Sequence, residues 1–237
     1  MAAAQQAASQ HGGAAAAHSP AGHELYYGAV LFEQLEYGFA LDGGRNLARW
    51  DGLAYYGTDY DRAFFRTQGE TQRNGRLESA EFQFLYSRLL SYYWDAQAGV
   101  RFDPGLLGRP DRTYGVLSVQ GLAPGLFEVL GQAFVSQTGQ LSFRAEASYD
   151  LYITQYLVLQ PDAEVNLAVR RDRGIESGAG LNNVEFGLRL RYEFTREVAP
   201  YIGVSYERTI GDTARFRRAE GERVEGWNFL TGVRIFF

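Results

Sequence analysis

The run Val184-Glu185-Phe186-Gly187-Leu188-Arg189-Leu190-Arg191-Tyr192-Glu193-Phe194 decides the fold. Val184, Phe186, Leu188, Leu190, Tyr192 and Phe194 share one parity, while Glu185, Gly187, Arg189, Arg191 and Glu193 share the other. Successive side chains of a strand point to opposite faces, so the run is a strand with one apolar and one charged face. Strands of globular proteins average ~5–6 residues, and this run is longer. A strand that crosses a bilayer needs ~9–11 residues, apolar toward lipid and polar toward the interior.

The same alternation recurs on both sides of this run. Trp227, Phe229, Thr231, Val233, Ile235 and Phe237 oppose Gly226, Asn228, Leu230, Gly232, Arg234 and Phe236. Leu141, Phe143, Ala145, Ala147, Tyr149 and Leu151 oppose Ser142, Arg144, Glu146, Ser148, Asp150 and Tyr152. Twelve such strands are expected, starting near Tyr26, Asn46, Tyr60, Leu77, Tyr93, Thr113, Leu126, Gln140, Tyr156, Leu181, Pro200 and Val224. Their connections alternate in length. Gly57-Thr58-Asp59, Leu90-Ser91, Pro124-Gly125, Thr154-Gln155 and Arg196-Glu197-Val198 are tight, whereas Asp103–Asp111, Arg170–Gly180 and Gly211–Arg223 are long. Only Thr138-Gly139 is short where a long loop is expected. Short periplasmic turns alternating with longer outer loops, and an even strand number, describe an all-β, transmembrane, antiparallel up-and-down barrel of the outer membrane. Gly232, Ile235 and Phe237 fit the terminal signature of such barrels, and Tyr26, Tyr27, Tyr55, Tyr56, Tyr92, Tyr93, Trp94 and Trp227 fit aromatic girdles. The first strand fits least. Leu31, Leu35, Tyr37 and Phe39 read as outward, but Glu33 shares their parity, which calls for a bulge or a place at the lipid headgroups.

Composition removes several alternatives. No window of the 237 residues approaches the ~18 consecutive apolar residues of a membrane helix, and mean hydropathy is −0.29. Net charge is −5 with no basic run, so nucleic acid is not an expected partner. With no cysteine there is no disulfide framework and no thiolate site. The Ala-rich start lacks a cationic segment and a Leu-rich core, and reads as a processed form. Residues 1–24 are expected to be a disordered tail and residues 25–237 the barrel.

The chemistry must lie on the inner face. His11, His18 and His23 all fall in the tail, so no imidazole is available as a general base on a strand or an outer loop. That argues against an enzyme, leaving only a carboxylate mechanism open to one. The inner face is expected to carry Glu36, Asp51, Arg66, Glu70, Glu81, Asp95, Arg101, Glu128, Arg144, Glu146, Asp150, Asp162, Glu164, Asn166, Glu185, Arg189, Arg191, Glu193 and Glu207. Two readings follow. Arginines and carboxylates neutralise one another across a narrow interior, because unpaired buried charge costs several kcal/mol. Alternatively, surplus carboxylates hold a cation; the candidates are Glu36, Glu70, Glu81, Asp95, Glu128, Glu146, Asp162 and Glu164. Twelve strands permit a filled or an open interior.

Several stretches resemble the copper-resistance protein B family of outer-membrane barrels. They include the opening run, its continuation through Arg196-Glu197 and Ala199-Pro200-Tyr201-Ile202-Gly203-Val204, and then Glu207-Arg208, Gly211-Asp212-Thr213-Ala214 and Ala219-Glu220-Gly221-Glu222. Upstream lie Trp50-Asp51, Arg66-Thr67-Gln68-Gly69-Glu70, Gln120-Gly121-Leu122-Ala123-Pro124, Leu159-Gln160-Pro161, Glu164-Val165-Asn166 and Gly174-Ile175-Glu176-Ser177-Gly178. The resemblance spans about Leu31 to Phe237. It implies a copper-tolerance role at the outer membrane, with copper as the ion bound, sequestered or exported, and with lipid and periplasmic copper-handling proteins as partners. Family members usually carry a tail dense in Met and His, whereas here the tail holds three His and no Met beyond Met1. Thioethers suit Cu(I), while imidazole and carboxylate suit Cu(II), so His and carboxylate ligands are expected, with His11, His18 and His23 as secondary candidates. The alternative is a general small-solute pore without specific metal binding.

Overall fold

Thirteen strands build the wall: β1 (Tyr27–Ala40), β2 (Leu47–Gly57), β3 (Asp61–Gln72), β4 (Leu77–Ser91), β5 (Trp94–Asp103), β6 (Arg112–Ala123), β7 (Phe127–Ser136), β8 (Leu141–Ser148), β9 (Leu151–Tyr152), β10 (Leu157–Ala168), β11 (Gly180–Tyr192), β12 (Val198–Thr209) and β13 (Glu225–Phe236). This computed structural model describes residues 25–72, 75–106, 110–171, 178–219, 221 and 223–237. β8 and β9 both pair with β10, so they form one stave broken at Tyr149 and Asp150. Sequential strands pair antiparallel around the ring. β10 meets β11 and β13 meets β1, which closes a barrel of twelve staves. Closure satisfies every ladder and leaves no free edge, which is what a sheet in hydrocarbon requires. At the seam, Phe237 N donates to Val30 O at 2.8 Å and Val30 N to Phe237 O at 3.0 Å.

The two faces separate as the alternation requires. Phe186, Leu188, Ile202, Leu117, Val100 and Trp227 are exposed on the outside, while Arg189 and Arg191 are 4 % and 2 % exposed within. An apolar exterior around a charged interior is the inverse of a water-soluble sheet and matches a bilayer-spanning wall. The long loops (β5–β6, β10–β11 and β12–β13) and the tight turns (β2–β3, β4–β5, β6–β7, β9–β10 and β11–β12) fall at opposite ends. The β7–β8 turn is tight although it lies at the long-loop end; Gly139, with φ of +75°, allows it.

The bulge that Glu33 called for is present, and three expectations are corrected. The register of β1 shifts between Phe32 and Leu35 against β13, and between Phe32 and Gln34 against β2, which is a bulge. Before it, odd-numbered residues face inward, so Leu31 is 1 % exposed inside the barrel rather than outward. The bulge also turns Glu33 into the interior cavity, away from the lipid headgroups. Tyr55 is no girdle residue, since it packs inside against Phe64 with ring centroids 5.5 Å apart. Finally, the expected loop Gly211–Arg223 contains a helix, α1 (Gly211–Ala219). It carries Asp212 in its first turn and Arg217 and Arg218 in its last, which complements the helix dipole. Only Ala214 is buried, so no apolar stripe announces this helix.

Candidate functional site: an acidic lumen

The interior divides into two halves of different character. Across β2, β3, β4, β6 and β7, the inward residues Leu53, Phe64, Leu85, Tyr114, Val116 and Phe134 form an apolar cluster that fills one side. The Arg101 guanidinium lies 5.0 Å from the Tyr114 ring centroid and 4.7 Å from that of Phe134, and Arg144 lies 5.6 Å from Phe134. Both arginines converge on Glu81, at 2.8 Å and 3.0 Å, and Gln68 donates to the same carboxylate at 3.1 Å. Cation–π stacking and charge-assisted bonds act together here.

Beside this cluster runs a cavity of about 1060 Å³, lined by residues of every stave. Its lining extends from Asp42, Arg217 and Arg223 at the long-loop end to Leu122 and Glu128 beside the β6–β7 turn. Among the described residues, fourteen carboxylates line it against eight arginines. The chain contains no lysine, so every strand cation is a guanidinium able to bind several carboxylates at once.

The surplus has a definite address. Glu146 on β8 lies directly opposite Glu164 on β10, Glu164 opposite Glu185 on β11, and Glu185 opposite Glu207 on β12. Like charges directly opposite one another in a sheet are destabilising, and four in a row compound the cost. Arg49 relieves one end, at 2.6 Å from Glu185 and 3.4 Å from Glu207. At the other end Arg144 is 3.7 Å from Glu164, to which Asn166 donates at 2.6 Å. Among the described residues no ion pair reaches Glu146, which feels Glu164, Arg144, Asp51 and Arg66 electrostatically. Asp51, across the lumen on β2, is in the field of Glu33, Arg66, Glu164 and Arg144.

The other candidates are arginine-bound. Glu36 accepts from Arg189 at 3.1 and 3.2 Å and from the Tyr201 hydroxyl at 3.0 Å. Arg189 also pairs with Asp162. Glycine makes this knot possible. A Cβ on Gly232 would stand 2.6 Å from the Tyr201 ring, and one on Gly187 would strike both Asp162 and Arg189. Asp95 is buried beside Arg62 and Gln120, each at 3.4 Å, and Glu70 binds Arg49 at 2.7 Å. Glu128 lines the cavity near its short-turn end. His11, His18 and His23 lie outside the described residues. Among the described residues no group of three or more His, Asp or Glu side chains is arranged to hold a metal.

Sequence reading missed two participants. Glu33 is brought inside by the bulge, and its conflict of parity with Leu35 was the only signal. Arg49 shares the parity of Asp51, which places it on the inner face, but its three partners come from distant parts of the sequence.

The comparisons with known proteins fit this geometry. Among solved structures, the NanC porin superposes with a TM-score of 0.57 at 11 % identity, covering 87 % of this chain and 98 % of that one. The KdgM porin gives a TM-score of 0.51 at 9 % identity, covering 88 % and 99 %. These likenesses establish the fold. Among sequences, the chain is 38 % identical over 225 residues to a copper resistance protein B homolog of Pseudomonas syringae pv. tomato, covering 92 % of this chain and 74 % of that one. It is 40 % identical over 222 residues to the copper resistance protein B of Escherichia coli, covering 91 % and 73 %. The family model described as copper resistance protein B precursor (CopB) matches residues 26–237, and the chain belongs to that family of outer-membrane β-barrels.

Proposed function

We propose that this barrel serves copper resistance without catalytic turnover, by admitting Cu(II) at the long-loop end and holding it on surplus lumen carboxylates. The observation that carries the reading is the in-register row Glu146–Glu164–Glu185–Glu207, faced by Asp51 and Glu33. Folding gains nothing from such a row, whereas a divalent cation turns its mutual repulsion into attraction. Oxygen donors suit Cu(II) better than Cu(I). In this reading Glu36, Glu81, Asp95 and Asp162 keep arginines in place, and Glu33, Asp51, Glu146 and Glu164 meet the ion. Glu128 marks the far end of the path, where copper would pass to the tail histidines or to periplasmic copper-handling proteins.

Calorimetric titration of Cu(II) into the folded full chain tests this, with the variant Glu146→Gln/Glu164→Gln alongside. The expected result is a loss of about tenfold or more in affinity in the variant, roughly 1.4 kcal/mol. Equal affinity in both proteins would remove these two residues from the site. A second reading, a general small-solute pore, is supported by the cavity lining that reaches toward both ends. In planar bilayers that reading requires steady conductance with weak selectivity and no block by micromolar Cu(II), whereas ion holding in the lumen requires block.

A further inference from the structure

One arginine near the long-loop end of this lumen is ion-paired to three strands. Arg49 stands on the third residue of β2, close to the long-loop end, and its guanidinium is gripped from three strands. Glu70 of β3 lies at 2.7 Å, Glu185 of β11 at 2.6 Å and Glu207 of β12 at 3.4 Å. In ring order those strands bracket β11-β12-β13-β1-β2-β3, half the circumference, so the side chain is a crossbar rather than a neighbour contact. Arg217 of α1 reaches the same Glu207 from above, at 3.5 Å. The Arg49 side chain is 11 % exposed, while its three partners are 32 %, 21 % and 24 % exposed, so the carboxylates keep a side open to the cavity.

We propose that Arg49 is a tethered cation bridging three carboxylates at the lumen mouth, and that an incoming divalent cation passes by displacing it in turn from Glu70, Glu185 and Glu207. No three described carboxylates stand close enough to share a metal, and at this point the guanidinium stands between them. A monovalent ion gains too little to separate a charge-assisted, multiply bonded guanidinium from three partners; a divalent ion interacts with each carboxylate about twice as strongly. The crossbar therefore selects for ion charge. This inference rests on the cation-handling reading above.

The test is titration of Cu2+ alone into folded full-length wild type, Arg49→Gln, Arg49→Lys and Arg49→Gln/Glu185→Gln. Removing one positive charge within a few ångströms of the site is expected to tighten Cu2+ binding about tenfold or more in Arg49→Gln. The added Glu185→Gln change is expected to abolish that gain. Arg49→Lys keeps the charge but lacks the planar fork, and is expected to tighten binding severalfold even if Arg49→Gln folds poorly. Unchanged or weaker affinity in folded Arg49→Gln, or wild-type affinity in Arg49→Lys, overturns the inference. If wild type binds no Cu2+ and Arg49→Gln does, the crossbar stands and the copper reading of the native lumen fails.

Discussion

The two halves of the lumen are built by the same alternating strands and do opposite things with charge. On the side formed by β3 to β7, Glu81 is met by the guanidinium groups of Arg101 and Arg144, which stack on the Tyr114 and Phe134 rings. On the side formed by β8, β10, β11 and β12, four glutamates stand in one row. Arg49 serves Glu185 and Glu207, Arg217 also reaches Glu207, Arg144 reaches Glu164, and among the described residues no ion pair reaches Glu146. The first half shows how a barrel interior becomes solid: charges are acceptable in low dielectric when each is paired and hydrogen-bonded. The second shows a wall left electrostatically incomplete, which is the condition for attracting a cation.

Breaking the packed half is expected to have the greater energetic consequence. Glu81→Ala leaves Arg101 and Arg144 buried without their common carboxylate, and is expected to cost about 3–5 kcal/mol, measured by denaturant unfolding from lipid vesicles. Phe134→Ala removes a 2 %-exposed ring with its cation–π contacts, and is expected to cost about 3 kcal/mol and to enlarge the lumen, measured by the same unfolding and by single-channel conductance. The acidic half is expected to answer with the opposite sign. Glu146→Gln/Glu164→Gln relieves a like-charge pair and is expected to stabilise the metal-free barrel by about 0.5–1 kcal/mol, while weakening Cu(II) binding. Destabilisation of that variant would mean that the row is compensated in a way the packed half already illustrates.

A smaller effect belongs to the loops above the lumen. Asp212 on α1 is held below the usual carboxylate range by its hydrogen bond from Arg171, with Arg215 adding to the effect. A depressed carboxylate contributes order that is present above its unfolded value of 3.8 and is lost as pH falls below that value through the folded one. The protection of the α1 amides, measured relative to intrinsic exchange, is therefore expected to be constant between pH 8 and pH 5 and to fall below about pH 4. Asp212→Asn is expected to remove that dependence.

Most of the wall was legible in the alternation itself, because a period of two sustained over ten residues has few physical alternatives. Strand starts such as Leu77 coincide, and Pro200 differs from the observed start at Val198 by two residues. The opposition of Val184, Phe186 and Leu188 to Arg189 and Arg191 survives intact. What failed did so for local reasons. A single extra residue in β1 inverted the faces of Leu31 and Glu33, and Tyr55 looked like a girdle residue because composition cannot tell an aromatic at a strand end from one facing inward. The α1 helix had no apolar period to read. The site was half legible. Parity placed Glu146, Glu164, Glu185 and Glu207 on the inner face, but their alignment depends on register between strands, which no single strand encodes.

The measurement closest to the centre of this account is electron paramagnetic resonance of Cu(II) bound to the folded full-length chain, compared with a variant carrying Glu33→Gln, Asp51→Asn, Glu146→Gln and Glu164→Gln. Oxygen-dominated ligation in wild type that disappears from the variant is the expected result. Nitrogen-dominated ligation of equal strength in both proteins would place copper on the tail histidines and contradict a carboxylate-held ion in the lumen.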